Sequence, residues 1–155
     1  MLRKLTVAVV SAFILLVPAV PAHAAVSSSV SQASPAEALR VRGERIVAAA
    51  RAQRGKPYRF GATGPRAFDC SGLTGYVYRT VHIKLPRTAQ QQYRAARGVS
   101  RADARPGDLV FWLHGKHAYH VGVYAGGGRV WHAPKQGDRV KLAHIWGKVH
   151  YGRIA

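Results

Sequence analysis

The chain has 155 residues, enough for one domain and its core but not for two. Its 24 Lys and Arg against six Asp and Glu give a formal charge of +18, which favours polyanions as partners. The single cysteine excludes an internal disulfide. No zinc-finger spacing, basic zipper or RNA-recognition signature is present, so nucleic acid is not an expected partner.

Arg3 and Lys4 precede an apolar run from Leu5 to Val17, followed by Pro18, Pro21 and Ala22-His23-Ala24. A charged start, an apolar middle and a small-x-small site predict a secretory signal peptide over residues 1–24. The run is shorter than the roughly 20 residues of a membrane span, and the only Cys lies far from the cleavage site. The mature protein is therefore expected outside the cell or on its wall, without a stable membrane anchor. Residues 25–34 are Ser-rich without apolar period and read as a flexible leader, which leaves 35–155 as the domain.

Ser34-Pro35-Ala36-Glu37 is a helix start, with Ser34 as cap and Pro35 in the first turn. Leu39, Ile46, Val47 and Ala50 predict its buried stripe as far as Gln53, before Gly55 and Pro57 stop it. Residues 58–69 form a Gly- and Pro-containing loop. Leu73, Val77 and Val81 then predict a helix opening at Cys70, and Thr88-Ala89-Gln90-Gln91 predicts a capping box for another, running toward Arg97. Beyond the Arg105-Pro106-Gly107-Asp108 turn, five short segments rich in Val, Ile and aromatics predict strands: 109–112, 120–124, 129–132, 139–142 and 149–154. Helices first and strands afterwards is the α+β pattern, with an antiparallel sheet.

A thiol at the start of a helix feels the positive end of the dipole and free backbone N–H groups, both of which favour thiolate. The same N–H groups suit a developing oxyanion. Cys70 is thus a candidate nucleophile, with an inert buried thiol as the alternative reading of the same position. His120 opens a strand whose period of two places it with Gly122, and Gly122 is expected to give the Cys70 helix room to approach. His132 ends the following strand, close enough across a hairpin to orient the His120 ring. His114, His117 and His120 are evenly spaced, but no His-Glu-x-x-His helix accompanies them and carboxylates are scarce, so no metal is expected. The Arg94, Arg97, Arg101 and Arg105 series reads as solvated charge. Trp112 and Trp131 read as core.

Six segments occur in order: Pro57-Tyr58, Phe68-Asp69-Cys70-Ser71-Gly72-Leu73, Leu85-Pro86-Arg87-Thr88, Pro106-Gly107-Asp108-Leu109-Val110-Phe111, His120-Val121-Gly122-Val123-Tyr124 and His132-Ala133-Pro134. Together they closely resemble the NlpC-type cell-wall endopeptidases, a family of papain-like cysteine peptidases, from about Arg45 onward. The resemblance implies a papain-like domain with helices on an antiparallel sheet. It implies Cys70 as nucleophile, His120 as general base and His132 as orienting residue. It further implies that Tyr58 lines the site, that Asp69 and Ser71 hold the substrate stem peptide, and that no cofactor is needed. The substrate would be peptidoglycan, cut between γ-D-glutamate and the following diamino acid, usually diaminopimelate. Phe60 stands where many relatives carry Trp. Anionic wall polymers are a second expected partner, through the basic surface, and the expected state is a monomer. An amidase or acyl transferase acting on another wall bond, and a non-catalytic basic wall-binding protein, are the competing readings.

Overall fold

The computed structural model describes residues 34–155. The expected signal peptide, and the leader as far as residue 33, lie outside them. The first helix, α1 (Pro35–Arg51), starts where Ser34 Oγ accepts the Glu37 N–H. Two shorter helices follow, α2 (Cys70–Arg79) and α3 (Ala89–Ala95), the second closed by a full Thr88/Gln91 capping box. Six strands complete the chain: β1 (Arg97–Val99), β2 (Leu109–His114), β3 (His117–Gly126), β4 (Arg129–His132), β5 (Lys141–His144) and β6 (His150–Arg153). They form one antiparallel sheet in the order β1-β6-β2-β3-β4-β5. This is the expected α+β, papain-like arrangement, with the helices at the N-terminal side of the chain and the sheet at its end.

The two faces of the sheet have different neighbours. Leu109, Phe111, Val121, Val123 and Trp131 join Ile46 and Ala50 of α1 and Leu73 and Val77 of α2 in the main core. On the other face Val110, Trp112, Val130 and Tyr151 make a smaller cluster, covered by loop residues that include Ile145 and Val149. The strand alternation is thus apolar on both sides, as a sheet covered on both faces requires.

Three elements depart from the sequence expectation. The third helix stops at Ala95, and Arg97–Val99 pairs with β6 as an edge strand. Three residues are too few to show a period. The segment expected at 139–142 begins in the sheet only at Lys141, because Val140 exchanges backbone bonds with Gly55 and Lys56 (both 2.8 Å) instead. Leu39 is exposed, and α1 buries Gly43 along with Ile46 and Ala50. At Gly43 the turn before β2 lies directly on the helix, where a Cβ would sit 2.1 Å from the Pro106 carbonyl oxygen. Neither backbone has a flexible side chain to yield. Gly43→Ala is expected to lower the unfolding free energy by about 1–3 kcal/mol, the usual cost of overpacking, read as a lower urea midpoint at unchanged m-value.

Candidate active site

The site begins with the cap of α2. Asp69 is the N-cap residue and is 5% exposed. Its Oδ1 accepts the Gly72 N–H (2.6 Å) and the Ser71 hydroxyl (3.3 Å), and its Oδ2 accepts the Gly61 N–H (2.9 Å). Both carboxylate oxygens also accept from the Arg87 guanidinium, and Arg87 Nη1 reaches Ser71 Oγ at 3.0 Å. A carboxylate offers about four acceptor sites, so Asp69 is saturated by its own protein. Gly72 is needed beside it, since a Cβ there would lie 2.1 Å from the Ala62 carbonyl oxygen. Loop 58–69, the first turn of α2 and Arg87 are thereby locked together around Cys70.

Cys70 is largely buried, and burial followed by the Asp69 carboxylate pushes its thiol above the ordinary range. The backbone N–H groups of Val121 and Ser71 and the Ser71 hydroxyl pull the other way without prevailing. The helix terminus was expected to favour thiolate, and the structure corrects that. The carboxylate that caps the helix also cancels much of the positive end of its dipole, so the thiol is neutral at rest.

His120 and His132 come together as expected, with His120 Nε2 2.9 Å from His132 Nδ1. The two residues are 7% and 3% exposed, their rings set against Trp112 and Trp146, which stacks on Trp112 at 4.3 Å. The role expected for Gly122 changes. Its missing Cβ makes room for β4, since the nearest atoms would be Val130 Cγ2 (2.6 Å), the Trp131 oxygen (2.8 Å) and His132 Cβ (3.1 Å). Gly122 admits His132 to the side of His120, while α2 packs on the opposite face at Val121 and Val123.

The two faces meet at a bulge. Trp112 pairs with His120 but Leu113 pairs with Ala118, leaving Tyr119 as an extra residue in β3. Bulges re-aim side chains, and here the extra residue stands where Cys70 and His120 open on common space. Two cavities of about 540 Å³ each share Tyr58, Cys70 and Tyr119 and form the arms of one cleft. One arm holds Asp69, Ser71, Arg87, Gln90 and His117. The other holds His120, His132, Lys135, Asp138, Lys141 and Trp146. All six residues expected in the site therefore line one cleft.

The sequence reading missed Tyr119, Arg87 as a site residue, and the Asp138–Lys141 pair. Arg87 lay inside a quoted motif, but nothing in its spacing marked it as the partner of Asp69. Among the described residues no group of three or more His, Cys, Asp or Glu could hold a metal ion. Chemically, the cleft offers a thiol, a neutral imidazole pair and first-turn N–H groups of α2 to an acyl carbon.

Burial holds both imidazoles well below the usual 6.5, with the His132 ring acting further on His120 and the Lys141 cation on His132. An unfolded chain takes up these two protons as pH falls through about 6.5, and the folded one does not until the pH is much lower. Their contribution to stability is complete above 6.5 and declines below it. The urea midpoint is expected to drop between pH 7 and pH 5, where carboxylates stay ionised, and to drop less in His120→Gln/His132→Gln.

Comparison with known proteins agrees with this geometry. The profile of the NlpC/P60 family matches residues 55–154. The probable endopeptidase p60 of Listeria monocytogenes is 42% identical over 113 residues, covering 70% of this chain and 23% of that protein. A probable endopeptidase of Corynebacterium glutamicum is 47% identical over 110 residues, covering 71% of this chain and 50% of that one. The chain thus spans between about a quarter and a half of the length of these relatives. Among solved structures, the NlpC/p60 domain of the peptidoglycan hydrolase SagA superposes with a TM-score of 0.66 at 36% identity, covering 70% of this chain and 97% of that domain. With the family profile covering residues 55–154 and relatives more than 40% identical over about 70% of its length, this chain belongs to the NlpC/P60 family.

Proposed function

We propose that this protein is a peptidoglycan endopeptidase that uses Cys70 as nucleophile. The observation that carries the reading is the shared cleft. Cys70 opens α2 into the same space as the His120–His132 pair. His120 Nε2 is committed to His132, so Nδ1 is the nitrogen left to serve the thiol. As Sγ attacks the amide carbonyl, the proton passes from Sγ to His120 Nδ1 and then to the leaving amine. Water, deprotonated by the same nitrogen, releases the acyl group and restores the thiol. First-turn N–H groups of α2 not taken by Asp69 stabilise the tetrahedral oxyanion. A thiol that is neutral at rest fits this general-base route better than a standing thiolate.

The finer reading is a wall stem peptide cut between γ-D-glutamate and diaminopimelate by a protein exported through residues 1–24. Tyr58 and Ser71 line the arm that would hold the stem peptide, and Asp69 acts through the Arg87 and Ser71 it holds in place. All six carboxylates of the chain accept hydrogen bonds within the protein, so most of the basic side chains face solvent uncompensated. This supports contact with anionic wall polymers. Retention on walls carrying such polymers is expected to weaken steeply with salt, and a pull-down at rising NaCl reads it.

Purified protein and Cys70→Ala, incubated with defined muropeptides and read by mass spectrometry, test the enzyme. The wild type is expected to release a fragment ending in D-glutamate, and Cys70→Ala to be slower by more than about a thousandfold. Separation of the intact stem peptide from the glycan would instead favour the amidase reading, and no Cys70-dependent product would favour a binding protein. Because the imidazoles are held down by burial, the acid limb of kcat/KM is expected below pH 6.5, since His120 stays unprotonated and able to accept a proton there.

A further inference from the structure

The hydrogen bond between His120 Nε2 and His132 Nδ1 can be made in two ways by neutral rings. In one, His120 Nε2–H donates to His132 Nδ1. His120 Nδ1 then has a free lone pair, and His132 must carry its own proton on Nε2. In the other, His132 Nδ1–H donates to His120 Nε2, and His120 is protonated on Nδ1. Only the first pair of tautomers leaves a nitrogen able to accept the Cys70 proton. The choice falls on His132 Nε2, which is buried and without a hydrogen-bond partner among the described residues.

The groups around this ring come from several elements, and the arm of the cleft that it lines also holds the Lys135 cation. Trp112 and Trp146 present uncharged rings. From β3 comes only His120 itself. From β5 comes Lys141, the direct cross-strand neighbour of His132. From the connection between β4 and β5 comes Asp138, whose Oδ2 accepts from Lys141 Nζ at 2.6 Å. Its Oδ1 is held by the Arg139 N–H at 2.7 Å. Both charges line the His120–His132 arm of the cleft together with Lys135, and Lys141 and Asp138 act on His132 in opposite directions. A bare ammonium beside His132 disfavours a proton on Nε2 and selects the tautomers that disable His120. A carboxylate favours that proton and selects the competent pair.

We propose that Asp138 is a positioning residue: by neutralising Lys141 and lending negative charge to the His132 side of the cleft, it holds the His120–His132 pair in the tautomers that leave His120 Nδ1 free. The proposal rests on the reading of His120 as the base, and it extends the Cys70-His120-His132 arrangement by a charge pair from outside it.

Ring 15N shifts of histidine-labelled protein report each tautomer directly, and turnover of a soluble muropeptide reports the consequence. In Asp138→Asn, His132 Nε2 is expected to move toward the unprotonated shift. kcat is expected to fall roughly 10- to 100-fold with KM little changed, less than where a directly bonded carboxylate is lost from a triad. Asp138→Glu should recover most of both, and Lys141→Met should move the Nε2 shift the opposite way. Unchanged His132 shifts in Asp138→Asn, or a changed shift with undiminished kcat, would overturn the proposal. If the wild type cleaves nothing, the enzymatic reading fails by itself, while the ring shifts still decide whether Asp138 sets the tautomer.

Discussion

The whole site depends on one buried carboxylate. Asp69 caps α2, ties Gly61 of the preceding loop to that cap and holds the Arg87 guanidinium against the same two oxygens. Removing it would leave the Gly72 N–H unpaired in the interior, a loss costing about 1–3 kcal/mol for a buried donor. It would also release the loop that forms one wall of the cleft. Burial raises the Cys70 thiol, and the Asp69 charge adds to it. The burial and the cap that fix the position of Cys70 thus disfavour a standing thiolate, and the proposed chemistry then relies on a nearby base.

The proposed base is the second dependency, and it too is a product of packing. His120 and His132 are neutral because they are buried beneath two stacked tryptophans. They are neighbours because Gly122 lets β4 close on β3. A side chain at 122 would push His132 away before it altered any charge. The bulge at Tyr119 then resolves a geometric conflict, since α2 packs on one face of β3 while His120 belongs to the other. At the bulge Cys70 and His120 share one cleft.

Much of this was legible in the residues. The caps at Ser34 and Thr88 are local, so three to four residues specify each of them, and both form as the spacing implies. The strands with strong Val and aromatic content were placed to within a few residues. Edge strand β1 was not, because Arg-Gly-Val has no period and pairs only when β6 is beside it. Leu39 and Gly43 show the same limit in α1. Periodicity ranks positions by hydrophobicity, whereas burial on this helix is decided by where the Pro106 turn lands. Within the site, Cys70, His120 and His132 were found through chemistry and order, and Arg87, Tyr119 and Asp138 were not, because their significance is a distance to residues far away in the chain.

By itself, then, the sequence determined the family, the order of helices and strands, and the chemical identities of the thiol and the two imidazoles. Those properties are written in short segments, each carrying its own cap, turn or period. Tertiary structure alone decided that Asp69 is saturated by Arg87 and backbone, that the Cys70 thiol is raised, and that Gly122 serves β4 instead of α2. It also decided that the Lys141–Asp138 pair lines the cleft beside His132. Proton affinity and tautomer depend on burial and on charges a few ångströms away, and the folded chain sets those distances between residues that sequence spacing leaves unrelated.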